Sequence, residues 1–535
     1  MKKPKRKSHS KAMTNIESNA LKGNLLSLYQ LSQNYKTGRF VGEVSEKKSE
    51  EYFNDLLNKL AQSRFILDSL SLYNFRCFKD FNISFDDRLT VIIGDNGSGK
   101  TSLVEAISKV LTWFNNIIEN KQTARPINLA DVNVNAKDYS EIVTNFSLNT
   151  KTKFDASLLK SAPTGDAGRS SQVDDIKKVA KMYKDGSENS KSIHIPFLAY
   201  YSVERSDFKL TQTVSEKVSK DTIPNRFSAV HSALEGSGNL EDFSELYIEL
   251  VNLAEGEISE EVRSLREQIK AYEELIKEAY GNNELPEDDR IGSLLKEKKN
   301  ELTFALKNNC SKKHQLHLSM VNEAINNIVP DVKDFKVDRT SGKLKLLVSN
   351  FGNVVNISQL SQGQKTLVAL VGDIARRLVT LNPDIDNPLE AEGIIVIDEV
   401  ELHLHPRWQQ EVLSGLMKNF KNIQFIVTTH SPQVLNHIES KYKIIRFENN
   451  NGLINSEIVE GTYGRNTDRI YEDNMEVTSR PKAIESELSN LFNLIKEREL
   501  DKAKQEILKL ENKISSDPQL VKAKTLIKRI ELIGK

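Results

Sequence analysis

Gly94-Asp95-Asn96-Gly97-Ser98-Gly99-Lys100-Thr101 follows the apolar run Leu89-Thr90-Val91-Ile92-Ile93 and precedes Ser102-Leu103-Val104-Glu105-Ala106-Ile107, a helix-compatible stretch. A glycine-rich loop set between strand and helix and closed by Lys-Thr is the setting that polyphosphate binding requires. Glycines at 94, 97 and 99 let backbone N–H groups curl around the anion, Lys100 reaches the β and γ phosphates, and Thr101 can ligate magnesium. The helix that follows points its positive end at the same anion. A plain glycine-rich turn has a similar composition, but strand before and helix after favour a nucleotide. The segment from Gly94 to Ser102 is therefore expected to bind ATP with Mg2+.

Working outward, residues 65–85 alternate with period two through Phe65, Leu67, Leu70, Leu72, then Phe78, Phe81, Ile83 and Phe85, which predicts two strands running into the loop. Residues 141–148 and 193–202 read as further strands, and the Gly/Ser/Lys-rich residues 161–192 between them as a mobile segment. Upstream, residues 20–62 carry Leu25, Leu28, Leu31, Tyr35, Tyr52, Leu56 and Leu60 at helical spacing, a hairpin resembling one tetratricopeptide-like unit. Such a lone unit serves either docking and dimerisation or packing on its own ATPase domain. Residues 237–329 predict two or three helices, broken at Gly281-Asn282-Asn283 and Pro286. Strands resume at 334–357, with a hairpin turn at Asp338-Arg339-Thr340-Ser341-Gly342, and at 393–397, 423–428 and 444–447. The chain after Asn466 is helical. The expected division is 1–62 basic arm and hairpin, 63–235 first ATPase lobe, 236–330 helical insertion, 331–465 second lobe and 466–535 helical extension.

Composition sets outer bounds. Among 535 residues, 75 basic side chains balance 75 acidic ones, so nucleic acid or membrane attraction must come from local patches. Cys77 and Cys310 are far apart and lack partners at metal spacing, which excludes a disulfide framework and fits a cytoplasmic setting. No stretch approaches the roughly 18 apolar residues of a membrane span. The opening MKKPKRKSHSK has no apolar run behind it and reads as a disordered basic arm rather than a signal peptide.

Ile394-Ile395-Val396-Ile397-Asp398-Glu399 is an apolar strand ending in two carboxylates. A buried strand carries ionised groups only at its end, where they meet solvent or a cation. Asp398 suits magnesium, directly or through water, and Glu399 suits a general base for an attacking water. Thr428-Thr429-His430-Ser431-Pro432 places His430 at the next strand terminus, able to hydrogen-bond a γ-phosphate. Leu360-Ser361-Gln362-Gly363-Gln364 opens a helix, so Ser361, Gly363 and Gln364 aim a hydroxyl and N–H groups at a second anion site. A single phosphate-loop domain needs no such second site.

In this chain order, GDNGSGKT, LSQGQ, IIVIDE and TTHS together resemble the ATP-binding-cassette ATPases over residues 65–460. The resemblance implies an α/β fold, an ABC-type P-loop ATPase head with helical insertion and extensions. It also implies a homodimer or higher oligomer in which LSQGQ of one copy closes on ATP held by another. Transport cassettes follow the acidic strand with a DEPTSALD-like segment, whereas Glu399-Val400-Glu401-Leu402-His403-Leu404-His405-Pro406 stands here. Leu72-Tyr73-Asn74-Phe75-Arg76-Cys77-Phe78 resembles the LxNFRxF strand of the SMC, RecF-like and OLD ATPases. His403 and His405 could share a metal, while the resemblance makes them part of a dimer-facing loop.

More narrowly, the hairpin, NFRCF, LSQGQ, DEVELHLHP and a helical tail resemble the PtuA-type ATPases of Septu antiviral systems, which also accompany retrons. That resemblance implies an HNH-type nuclease partner and, in the retron version, a reverse transcriptase with its RNA–DNA hybrid. No DxD-bearing strand of a Toprim nuclease follows His430, and no HNH-like cluster is present, so cleavage is expected on another chain. An SMC- or RecF-like DNA-maintenance ATPase is the alternative; a transporter cassette is disfavoured by the insertion. Arg76 and Arg205 are either phosphate contacts or surface ion-pair partners, and the usual magnesium-site glutamine is unassigned.

Overall fold

The computed structural model describes residues 5–41, 44–121, 124–163, 165–206, 225–236, 238, 240–255, 260–280, 290–309, 311–339, 344–474, 480–515 and 517–533. The chain divides into two compact units, Met1–Gly464 and Arg465–Lys535.

The first unit opens with helices α1 (Lys5–Leu21), α2 (Leu25–Thr37) and α3 (Glu46–Leu60). From Lys5 onward the basic arm is helix, not the loose tail its charge suggested; residues 1–4 and Gly42 lie outside the described residues. Asn24 and Ser45 cap α2 and α3 by accepting the N–H groups of Ser27 and Lys48, and Leu25, Leu28, Leu31, Leu56 and Leu60 are buried. The hairpin packs on its own ATPase lobe: the Leu25 N–H donates to Thr152 Oγ1 at 2.9 Å and the Tyr29 hydroxyl to Asp185 at 2.6 Å.

β1 (Ile66–Phe75), β2 (Phe78–Ser84) and β3 (Leu89–Gly94) lead into α4 (Lys100–Glu119), then β4 (Tyr139–Asn149), β5 (Thr152–Ser161), α5 (Asp174–Asn189) and β6 (Phe197–Tyr201). The order β2-β1-β4-β5 forms an antiparallel sheet. Two elements here depart from expectation. β5 went unread, and the supposed mobile segment contains α5, whose Ile176, Val179, Ala180 and Tyr183 are buried at helical spacing. Interleaved lysines, aspartates and serines had hidden that stripe.

Four helices, α6 (Leu240–Glu255), α7 (Glu260–Tyr280), α8 (Arg290–Asn309) and α9 (Lys312–Ile328), make the insertion, where two or three were expected. The break at Gly281-Asn282-Asn283 and Pro286 lies outside the described residues, as do Cys310 and the Thr340-Ser341-Gly342 turn. β7 (Val332–Asp338), β8 (Lys345–Asn350) and β9 (Asn353–Asn356) form an antiparallel meander. The second lobe continues with α10 (Gln362–Leu381), β10 (Gly393–Ile397), α11 (Pro406–Asn419), β11 (Ile423–Thr428), α12 (Pro432–Leu435), β12 (Lys443–Asn450) and β13 (Leu453–Val459).

Both lobes contribute to the main sheet, ordered β13-β12-β3-β11-β10-β6, parallel except for the edge strand β13. Its central strands are mainly apolar because helices cover the sheet, and β10 and β11 are wholly buried. The register aligns the strand ends: Ile397 lies opposite Tyr201 and Val427, and Thr428 opposite Ile92. Open α/β sheets take ligands at this carboxyl edge. The architecture is the expected α/β class, a mainly parallel sheet with helices before it, inserted in it and after it.

The second unit consists of α13 (Thr467–Asn474), α14 (Lys482–Lys496), α15 (Leu500–Lys513) and α16 (Pro518–Ile533). Leu488, Leu491, Ile495, Ile507, Leu510 and Ile527 give it a core of its own.

Candidate active site

The loop between β3 and α4 is held open by backbone that only glycine adopts easily. Gly99 caps α4 at φ 96°, and a Cβ there would lie 2.7 Å from Phe78 Cζ and 3.0 Å from Cys77 Sγ. The β1–β2 turn thus lies directly on the phosphate loop. Lys100 begins the helix almost fully buried, its Nζ donating to the carbonyls of Gly94 at 2.7 Å and Asp95 at 2.9 Å. Burial pushes the ammonium pKa below its ordinary value, while Asp398, Glu399, Asp95 and Glu401 pull it back up. Ser98 Oγ is buried without a partner among the described residues. A cradle of glycines, an ammonium held only by loop carbonyls and an idle hydroxyl fit a polyphosphate.

The carboxyl end of β10 closes the other side. Asp398 is 1 % exposed, accepting a hydrogen bond from Thr101 Oγ1 on Oδ2 at 2.8 Å and one from Thr428 Oγ1 on Oδ1 at 2.5 Å. Thr428 also accepts the Glu399 N–H at 2.8 Å, so one hydroxyl at the end of β11 fixes both acidic residues. Glu399 itself adopts φ 48°, a left-handed conformation that costs energy for a residue with a side chain. His430 donates its backbone N–H to Glu401 Oε1 at 2.5 Å. Burial, then the nearby Lys100, lowers the His430 pKa, which keeps the imidazole neutral near pH 7. Burial raises the Glu401 carboxyl.

These groups line one cleft of about 350 Å3, bounded by Arg76, Cys77, Asn96, Gly97, Gly99, Lys100, Thr101, Ser102, Asp398, Glu399 and His430. Thr101 and Asp398, joined by their hydrogen bond, are the residues that could hold a metal ion here. Arg76 lines this cleft and is paired with Glu105 and, at 2.9 Å, with Asp131, which is the ion-pair role of the two expected.

Ser361, Gly363 and Gln364 are not among the residues lining the cleft. The Ser361 hydroxyl, expected to face an anion, is tied into its own helix cap, accepting the Gln364 N–H at 3.4 Å and donating to Gln364 Oε1 at 2.9 Å. Gly363 packs against the segment after β10; a Cβ there would stand 2.8 Å from the His403 carbonyl oxygen and 3.0 Å from the Trp408 ring. His405 caps α11, its Nδ1 accepting the Arg407 N–H at 3.3 Å.

Sequence reading missed Thr428 and Glu401 as parts of this site and misjudged Arg205. Far from the surface, Arg205 is 1 % exposed. Its Nη1 donates to the carbonyls of Ser202 at 2.8 Å and Asp398 at 2.6 Å, and its Nη2 to the carbonyl of Glu399 at 2.6 Å. A cation directly after a wholly apolar strand was the one available signal.

The AAA ATPase domain family matches residues 65–435. The chain is 33% identical over 437 residues to "Retron Vc95 probable ATPase" of Vibrio cholerae serotype O1 biovar El Tor, covering 79% of this chain and 81% of that protein. It is 31% identical over 433 residues to "Retron Ec83 probable ATPase" of Escherichia coli, covering 78% of each. A shorter stretch of 120 residues, 22% of this chain and 16% of the relative, is 35% identical to "Septu protein PtuA" of Bacillus mycoides (strain KBAB4).

Proposed function

Because the chain belongs to the AAA ATPase domain family and groups with the retron ATPases, we propose that it is the ATP-hydrolysing regulatory subunit of an antiviral defence complex. The observation that carries this is the convergence of Lys100, Thr101, Asp398, Glu399 and His430 on one cleft from which the LSQGQ segment is missing. Half a site is built, and the other half is supplied by Ser361, Gly363 and Gln364 of a second copy.

With ATP as substrate, Lys100 turns from the Gly94 and Asp95 carbonyls to the phosphates, and the N–H groups of residues 97–101 neutralise the rest of the anion. Thr101 and Asp398 would hold a magnesium ion, which would supply positive charge against the charge that develops on the phosphates. Glu399 accepts a proton from the water that attacks the γ phosphorus. The bond from that phosphorus to the bridging oxygen breaks, and ADP leaves with the electron pair. Neutral His430 donates a hydrogen bond to the transferring group.

Nucleic acid cleavage is assigned to a partner, an HNH-type nuclease. A reverse transcriptase with its RNA–DNA hybrid is the further partner, in keeping with the retron relatives. The nucleotide state of the dimer restrains or releases that nuclease. Among the described residues no helix is long and apolar enough to cross a membrane.

Phage challenge of cells carrying the gene with its neighbouring reading frames tests this. Lys100→Ala should abolish protection without lowering the amount of protein. Undiminished protection by that variant would refute the reading.

A further inference from the structure

Arg205 sits in the short turn Val203–Ser206 that follows β6, and its guanidinium is spent on three main-chain carbonyls. Two of them, of Asp398 and Glu399, belong to the consecutive residues that follow β10. Such use of a buried arginine is unusual, because burying a charge without a direct carboxylate partner is costly. Its Nε has no partner among the described residues. Burial pushes its pKa down to about 10, against the attraction of Asp398, Glu401 and Glu399.

What the arginine holds accounts for that cost. Glu399 adopts φ 48°, and the peptide that follows it is kept in this turn from two sides: the Glu399 N–H donates to Thr428 Oγ1, and its carbonyl accepts from Arg205 Nη2. Without the guanidinium, the buried Asp398 carbonyl loses this donor, the Glu399 carbonyl keeps only the Leu402 N–H at 2.9 Å, and the left-handed residue can relax, swinging its carboxylate within the cleft. The planar fork suits this task, since it spans adjacent carbonyls with fixed spacing; an ammonium is a point charge and cannot.

We propose that Arg205 is a positioning residue for hydrolysis, which sets the direction of the Glu399 carboxylate by clamping the main chain of Asp398 and Glu399. This rests on the assignment of Glu399 as the base. Arg205 is not among the residues lining the cleft, so its removal should act on turnover and not on binding.

The test is a double-mutant cycle in the full-length protein. Steady-state ATP hydrolysis, affinity for a fluorescent ATP analogue and thermal unfolding are measured for Arg205→Lys, Arg205→Gln, Glu399→Gln and the Arg205→Lys/Glu399→Gln pair. Either Arg205 variant should lower kcat by about 100-fold, the scale of a 1 Å misplacement, with little change in affinity. In the Glu399→Gln background the Arg205→Lys change should add no further loss, because the group it positions is already disabled. Unchanged kcat, a loss that multiplies in that background, or collapse of the melting transition in both Arg205 variants would overturn the proposal. Wild-type turnover by Glu399→Gln alone would show instead that the base assignment beneath it is wrong.

Discussion

Thr101 Oγ1 donates to Asp398 Oδ2 at 2.8 Å, joining the first turn of α4 to the end of β10 between residues 297 positions apart in the chain. The same carboxylate takes the Thr428 hydroxyl on its other oxygen, so the ends of β10 and β11 and the phosphate loop meet at one buried group. Two oxygens that share a hydrogen bond before metal binding are already at the separation from which both can face one cation.

Asp398→Asn keeps the shape of this junction and removes its charge. Nucleotide affinity should then fall by about 10–100-fold in the presence of magnesium and change little when magnesium is chelated. Calorimetric titration with and without the metal checks it, and an equal effect under both conditions would disconnect Asp398 from the ion.

Glu399→Gln should preserve ATP binding and reduce kcat by about 100- to 10,000-fold, the usual worth of a positioned general base. Single-turnover hydrolysis beside an equilibrium binding assay separates the two effects. Loss of affinity as large as the loss of rate would reassign Glu399 to ground-state binding.

Strands of the main sheet were legible because burial on both faces demands continuous apolar runs, as in Ile394-Ile395-Val396-Ile397 and Phe425-Ile426-Val427. The phosphate loop was legible because its glycines and Lys100 are consecutive. Sheet order was not, since β6 pairs with β10 across nearly two hundred residues, a distance no local pattern records. α5 escaped because five buried apolar side chains are scattered among lysines and aspartates. Arg205 and Thr428 escaped for another reason: both act on Asp398 and Glu399, which are remote in sequence, and the carbonyls that Arg205 holds carry no residue identity.

Glu392, immediately before β10, gives the first unit a pH dependence. Its Oε2 accepts the Phe65 N–H at 2.5 Å, and burial pushes its carboxyl from an ordinary value near 4.5 up to about 7. Between those values the folded chain holds a proton that the unfolded chain has released. Stability from this group is thus complete below pH 4.5 and is lost as pH rises through 7, by at most about 1.4 kcal/mol per unit. Glu392→Gln, which keeps an acceptor and cannot ionise, should flatten that decline and raise the denaturation midpoint at pH 8. Denaturant unfolding from pH 5 to 8 checks this; parallel curves for variant and wild type would show that Glu392 does not titrate with folding.

The most direct measurement concerns the half-built site itself. Lys100→Ala destroys the phosphate loop and leaves LSQGQ intact, whereas Ser361→Ala weakens LSQGQ and leaves the loop intact. Each variant alone should hydrolyse ATP poorly, and mixing them should restore turnover, because a mixed dimer contains one composite site with both halves unaltered. ATP hydrolysis that stays at the level of the separate variants after subunit exchange, or full activity of Ser361→Ala by itself, would contradict a site completed by a second copy.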